Sequence, residues 1–106
     1  MTTFNCNETD YITISIDNLL FDERIADMVE QNGMIFPDSL LSNIYDAGTF
    51  HLNQERLIRV LSGYNENLPA VKVSKTLNNK YKVIDGRHRV CAAIMKGDLH
   101  VPCVVV

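Results

Sequence analysis

No apolar run in the 106-residue sequence is longer than six residues, Val90 to Met95, against the roughly 20 that a membrane-spanning helix requires. The opening Met1-Thr2-Thr3-Phe4-Asn5-Cys6 has neither a basic start nor a long apolar stretch, so no secretory signal is expected and the chain reads as soluble and intracellular. Cysteine is scarce. Cys6, Cys91 and Cys103 are odd in number and form no CxxC pair, which excludes a fully paired disulfide framework and a zinc-type cluster. They are expected to be reduced, with Cys91 and Cys103 buried as small apolar side chains. No repeat, low-complexity segment or linker interrupts the chain. The first half is also poor in cations: residues 1–53 hold nine carboxylates and one base, Arg24, for a net −8. Residues 54–106 hold nine bases and four acids, for a net +5, and the whole chain carries −3. Such a division predicts an acidic and a basic side, the second of which could draw phosphate or nucleic acid; the two halves could equally attract each other.

Apolar residues make up 46% of the chain and charged residues 22%, enough for one globular core and unlike a disordered or collagen-like chain. Ile12, Ile14 and Ile16 alternate with Tyr11, Thr13 and Ser15, the period of a half-buried strand over 11–16. Ile25, Met28 and Val29 recur at helical spacing after a cluster of acids and before Asn32-Gly33, predicting a helix over 22–32. Pro37, the stripe Leu40, Leu41 and Ile44, and Gly48 predict a second helix over 37–46. Asn53 as a cap, the pairs Leu57-Ile58 and Val60-Leu61, and Gly63 mark a third over 53–62. Strands at 70–74 and 81–84 flank an Asn78-Asn79 turn, a helix over 87–96 ends at Gly97, and 101–106 reads as a buried strand. The expected class is α+β: a small mixed sheet with flanking helices.

The chemically informative segment is Ile84-Asp85-Gly86-Arg87-His88-Arg89-Val90-Cys91-Ala92-Ala93. A strand passing through a glycine turn into a helix presents unpaired N–H groups and the positive end of the helix dipole, a setting that binds anions. Yet Arg87, His88 and Arg89 place cationic side chains where the dipole disfavours them by roughly 0.3–1 kcal/mol each. A bound phosphate or carboxylate would offset that, shared between two guanidinium forks, an imidazole and the helix amides. Alternatively, Asp85 and the acidic first half neutralise the arginines, and His88 is a buried ring with its own partners. On the residues alone both readings stand. First-turn side chains here are expected to project towards solvent or ligand, so truncating His88 or Arg89 should spare the fold.

This run, with Lys96-Gly97 and the closing Val101-Pro102-Cys103-Val104-Val105, resembles the ParB/sulfiredoxin superfamily, in which a strand ends in a Gly-x-His-Arg or Gly-Glu-Arg-Arg turn before a helix with small inner residues. Leu68-Pro69-Ala70-Val71-Lys72-Val73 fits the proline-then-strand element of the same pattern, so the resemblance covers 53–106 well and 11–30 loosely. It implies a ParB/sulfiredoxin-like fold and a nucleotide- or phosphate-binding pocket in which Gly86 lets the backbone approach the ligand and His88 and Arg89 contact phosphate. Arg87 stands where sulfiredoxins carry their catalytic cysteine, which removes that chemistry. It is similar instead to ParB-type and free-serine-kinase-type members, which implies ATP or CTP, with Mg²⁺, as ligand and nucleotide hydrolysis or phosphotransfer as an activity. The sequence holds neither the later Glu-Asn box nor a helix-turn-helix module, so a ParB-style DNA clamp is not expected.

Three function classes follow: a nucleotide binder through Gly86, Arg87, His88 and Arg89; a DNA-associated basic module, nuclease-like or partition-related; and a non-catalytic interaction module with a degenerate pocket. Within Asp22-Glu23-Arg24, a carboxylate such as Glu23 could hold Mg²⁺ or act as a base, and His88 could serve in catalysis; otherwise the acids favour the dipole of the helix they begin. His51 and His100 are read as solvated loop residues with no metal role. Tyr64, Tyr81 and Phe50 could stack on a base, although a core of this size claims its aromatics first.

Overall fold

A computed structural model describes residues 3–45, 53–64 and 66–106. Six strands form one mixed sheet: β1 (Ile12–Ser15), β2 (Leu19–Asp22), β3 (Ile44–Tyr45), β4 (Val71–Lys75), β5 (Tyr81–Asp85) and β6 (His100–Val105), in the spatial order β1-β6-β4-β5-β2-β3. β4 and β5 are an antiparallel hairpin and β1 pairs antiparallel with β6, while β4–β6, β5–β2 and β2–β3 are parallel. Asn79 adopts a left-handed conformation (φ 57°) in the hairpin turn, as an asparagine tolerates better than most residues.

Three helices cover one face. α3 (Arg87–Lys96) lies on β4 and β6, with α1 (Glu23–Gln31) and α2 (Gln54–Ser62) packed against it. Its Cys91, Ala92 and Ala93 are fully buried, and their small size lets three layers of backbone meet closely. The opposing strand residues Ile14, Val71, Val73, Val83, Val101 and Cys103 alternate inward, whereas Thr13, Lys72, Lys82 and Ile84 are exposed, the period-two pattern of a sheet covered on one side. No helix among the described residues is long and apolar enough to cross a membrane.

The expected mixed α+β class, the three helices over 22–32, 53–62 and 87–96 and the four strands are present within a residue or two at each end. The expected helix over 37–46 is not. Pro37 is extended (ψ 133°), a 3-10 turn runs over Asp38–Asn43, and Ile44–Tyr45 leave it as β3, pairing with Phe21 and Asp22. The apolar stripe does not hold as one face, since Leu40 is buried and Leu41 is 53% exposed. Asp46 and Gly48 of that reading lie outside the described residues. β2 was not expected either. Its Leu-Leu-Phe-Asp run lacks alternation, and it is a strand because β5 and β3 take up its edges.

Cys91 and Cys103 are fully buried and burial pushes both thiols up to about 12, so neither offers a thiolate near neutral pH. Under native conditions a thiol reagent should modify Cys6 alone at a measurable rate. Cys91 and Cys103 should react only as fast as the protein opens, as mass spectrometry over a labelling time course would record.

Candidate functional site

β3, β2 and β5 run parallel, so their carboxyl ends, carrying Tyr45, Asp22 and Asp85, meet at one edge of the sheet. Loops and helix starts at such an edge are where open α/β sheets commonly bind ligands. Gly86 turns β5 into α3 at φ 107°, ψ 24°, a left-handed conformation open to glycine and strained for other residues. The guanidinium of Arg89 lies across that glycine: a Cβ there would fall 2.8 Å from Nη2. As the N-cap residue, Gly86 supplies no side-chain cap to the start of α3.

Arg87 is committed internally. Its Nε donates to Asp22 Oδ2, and Nη1 donates to the Ile84 carbonyl at 3.2 Å. Asp22 is fully buried and its other oxygen accepts from the amides of Arg24 (3.1 Å) and Ile25 (3.2 Å), which makes it the N-cap of α1. One carboxylate thus joins the starts of two helices. Tyr45 sits beside the pair, donating its hydroxyl to the Val83 carbonyl at 3.0 Å; burial and the Asp22 charge raise its phenol, with Arg87 acting against them. The acidic first half does neutralise one arginine of the turn.

Arg89 is held differently. Nη2 donates to the Ala70 carbonyl at 3.3 Å and lies 3.9 Å from Asp85, beyond hydrogen-bond range, while buried Nε has no acceptor among the described residues. Burial lowers its proton affinity, with Asp85 opposing. His88 does not project outward as expected: it is 6% exposed and hydrogen-bonds the backbone of Asn53, tying α3 to the start of α2. Its pKa is lowered, first by burial and then by Arg56, with Arg87 and Arg89 adding to the effect, so the ring is neutral at physiological pH.

Arg56 completes the group and was not singled out from sequence, because it comes from α2, thirty residues before the turn. It is exposed, and among the described residues no carboxylate pairs with its side chain. Arg56, Val60, Asp85, Gly86, Arg87, His88 and Arg89 line a cleft of about 390 Å³ at the start of α3. All four residues expected to form the binding pocket, Gly86, Arg87, His88 and Arg89, therefore share one cleft wall. Glu23, the other catalytic candidate, is exposed in the first turn of α1 and does not line the cleft. Tyr64 is buried, Tyr81 packs on the core and Phe50 and His51 lie outside the described residues; among the described residues Tyr45 is the aromatic beside the Asp22–Arg87 pair. Among the described residues no three His, Cys, Asp or Glu side chains assemble as a metal site. Among the described residues the cleft lining holds one carboxylate, Asp85, which could hold Mg²⁺ only together with the phosphates of a ligand.

Two outcomes follow. Arg87→Ala strips a buried carboxylate of its cation and should cost about 2–4 kcal/mol, below the range for fully buried pairs because Arg87 keeps 21% side-chain exposure. Asp22→Ala should cost about 1 kcal/mol more through loss of the cap, and in urea titrations the double variant should lose less than the two singles combined. The second outcome concerns pH. An unfolded His88 takes up a proton at about 6.5 and the folded one only at lower pH, so this contribution to stability is complete above pH 6.5 and declines as pH falls below it. His88→Gln should flatten the dependence of melting temperature on pH between roughly 7.5 and 5.5.

No family model matches the sequence, and no curated protein does. Among solved structures the fold is similar to that of a conserved hypothetical protein from Pyrococcus furiosus, with a TM-score of 0.55 at 14% identity. The likeness takes in 97% of this chain and 34% of that one, so this chain spans about a third of the neighbour's length. At that identity it carries the fold alone: a mixed α+β arrangement with a six-stranded sheet and flanking helices.

Proposed function

We propose that this chain is a ParB/sulfiredoxin-like domain that binds the phosphate group of a nucleotide, ATP or CTP, or of another phosphate-bearing ligand at the β5–α3 turn. The observation that carries this reading is the cleft of about 390 Å³ in which three guanidinium groups and an imidazole surround an uncapped helix start. The dipole and the cations act on an anion in the same sense, and a phosphate oxygen supplies the acceptor that Arg89 Nε lacks. Arg56 is the cation with most freedom to meet the ligand, since Arg87 is spent on Asp22. The reading is one of binding rather than turnover. Among the described lining residues Asp85 is the single carboxylate, and Mg²⁺ would arrive with the ligand's own phosphates.

The Asp22–Arg87 pair favours a second reading, an interaction module whose pocket no longer holds a ligand, because an arginine of the motif is neutralised from within. A polynucleotide is the ligand of the third class; Lys72 and Lys82 are exposed on the sheet face away from the helices rather than around the cleft.

Calorimetry and thermal melting with ATP, CTP, pyrophosphate, sulfate and a single-stranded oligonucleotide, each with and without Mg²⁺, separate these classes. A nucleotide at 100 times its dissociation constant should stabilise the fold by about 2.7 kcal/mol. Arg56→Ala should weaken binding about tenfold or more, the worth of a charge-assisted hydrogen bond, and leave the melting temperature of the free protein unchanged. Absence of binding by every phosphate ligand overturns the proposal in favour of the interaction module. Binding of the oligonucleotide alone overturns it in favour of the nucleic-acid class.

A further inference from the structure

A second cavity, of about 410 Å³, opens at the other end of α3, where Ile94 and Gly97 border it. Its size falls within the range of small-molecule pockets. The apolar part of its wall comes from Ile16, Leu40 and Ile94, which are 5%, 4% and 8% exposed. The polar part comes from Ser15, Asp17, Ser39, Asp98 and His100. Neither lysine nor arginine lines it. Lys80, whose ammonium donates to the main-chain oxygen of Asp17 at 2.7 Å and to Asn43 Oδ1 at 3.2 Å, stands outside the lining.

Three features of this wall act on one kind of ligand. Two carboxylates with no lining cation give the cavity a negative potential. Asp98 Oδ2 accepts the Tyr64 hydroxyl, a neutral donor, and among the described residues it forms no ion pair. The carboxyl end of a ten-residue helix adds the negative end of its dipole, which favours a cation there. His100, read from sequence as a solvated loop residue, is instead the first residue of β6 opposite Ser15, and its Nδ1 is buried with no hydrogen-bond partner among the described residues. A buried ring nitrogen without a partner is costly in a native structure unless something else satisfies it, and in the neutral imidazole one nitrogen is an acceptor.

We infer that this cavity binds a small organic ammonium ion with an apolar body, an alkyl or arylalkyl amine, whose –NH₃⁺ donates to Asp17, Asp98 and His100 while its hydrocarbon part lies on Ile16, Leu40 and Ile94. The inference is independent of the phosphate reading, since the two sites lie at opposite ends of α3, about 15 Å apart along its axis, and have opposite charge.

The test is a titration of the full ¹⁵N-labelled chain, followed by amide chemical shifts, with three probes of one shape: 2-phenylethylamine, neutral 2-phenylethanol and anionic phenylacetate. The amine should give saturable shifts confined to residues 15–17, 39–40 and 97–100, the alcohol should bind about tenfold more weakly, and phenylacetate should give none. Asp17→Asn, at an exposed carboxylate, and His100→Gln should each weaken amine binding about tenfold. Asp17→Asn also keeps the test decisive should the His100 variant fail to fold. Equal binding of all three probes, shifts centred elsewhere, unchanged affinity in Asp17→Asn, or no saturable shift from the amine would each overturn the inference.

Discussion

Asp22 ends β2, caps α1 and takes the guanidinium of the first residue of α3, all with one fully buried carboxylate. A buried carboxylate is costly to desolvate and is tolerated only where donors surround it. Here two helix amides and Arg87 supply them. The consequence is geometric: the starts of α1 and α3 are fixed to each other at the edge where β2 and β5 end in parallel. The left-handed Gly86 and Arg89, which lies across it, follow directly on that fixed point, while Arg56 joins them from α2.

The same pair explains the unusual composition of the turn. Cations at a helix start oppose the dipole, and one of the two arginines is balanced by an acid from the acidic half of the chain. Arg89 is balanced less well, 3.9 Å from a carboxylate whose side chain is 67% exposed, and Arg56 is not balanced among the described residues. Positive potential therefore remains in the cleft after the internal pairing. At the far end of α3 the sign reverses, with Asp17 and Asp98 beside the helix carboxyl terminus. One helix of ten residues thus separates a basic cleft, whose arginines all come from the second half of the sequence, from an acidic cavity that draws Asp17 from the first half and Asp98 from the second.

The sequence by itself determined the elements whose signals are local. Alternating isoleucines marked β1, a capping asparagine and paired apolar residues marked α2, and Gly86 and Gly97 bounded α3, because caps, periodicity and left-handed glycines act within a few residues. It also placed Gly86, Arg87, His88 and Arg89 together, since they are consecutive, and it put Cys91 and Cys103 in the core by their apolar surroundings. Tertiary structure alone decided the rest. β2 and β3 are strands only because distant neighbours complete their ladders, and the 3-10 turn before β3 replaced a helix because Ile44 and Tyr45 gain more by pairing with β2. The Asp22–Arg87 contact spans 65 positions, Arg56 enters from a separate helix, and His88 points inward because α2 packs over it. No spacing rule reaches across such separations, since the chemistry of each pair is visible in its residues but the packing that brings them within hydrogen-bond range depends on the whole fold.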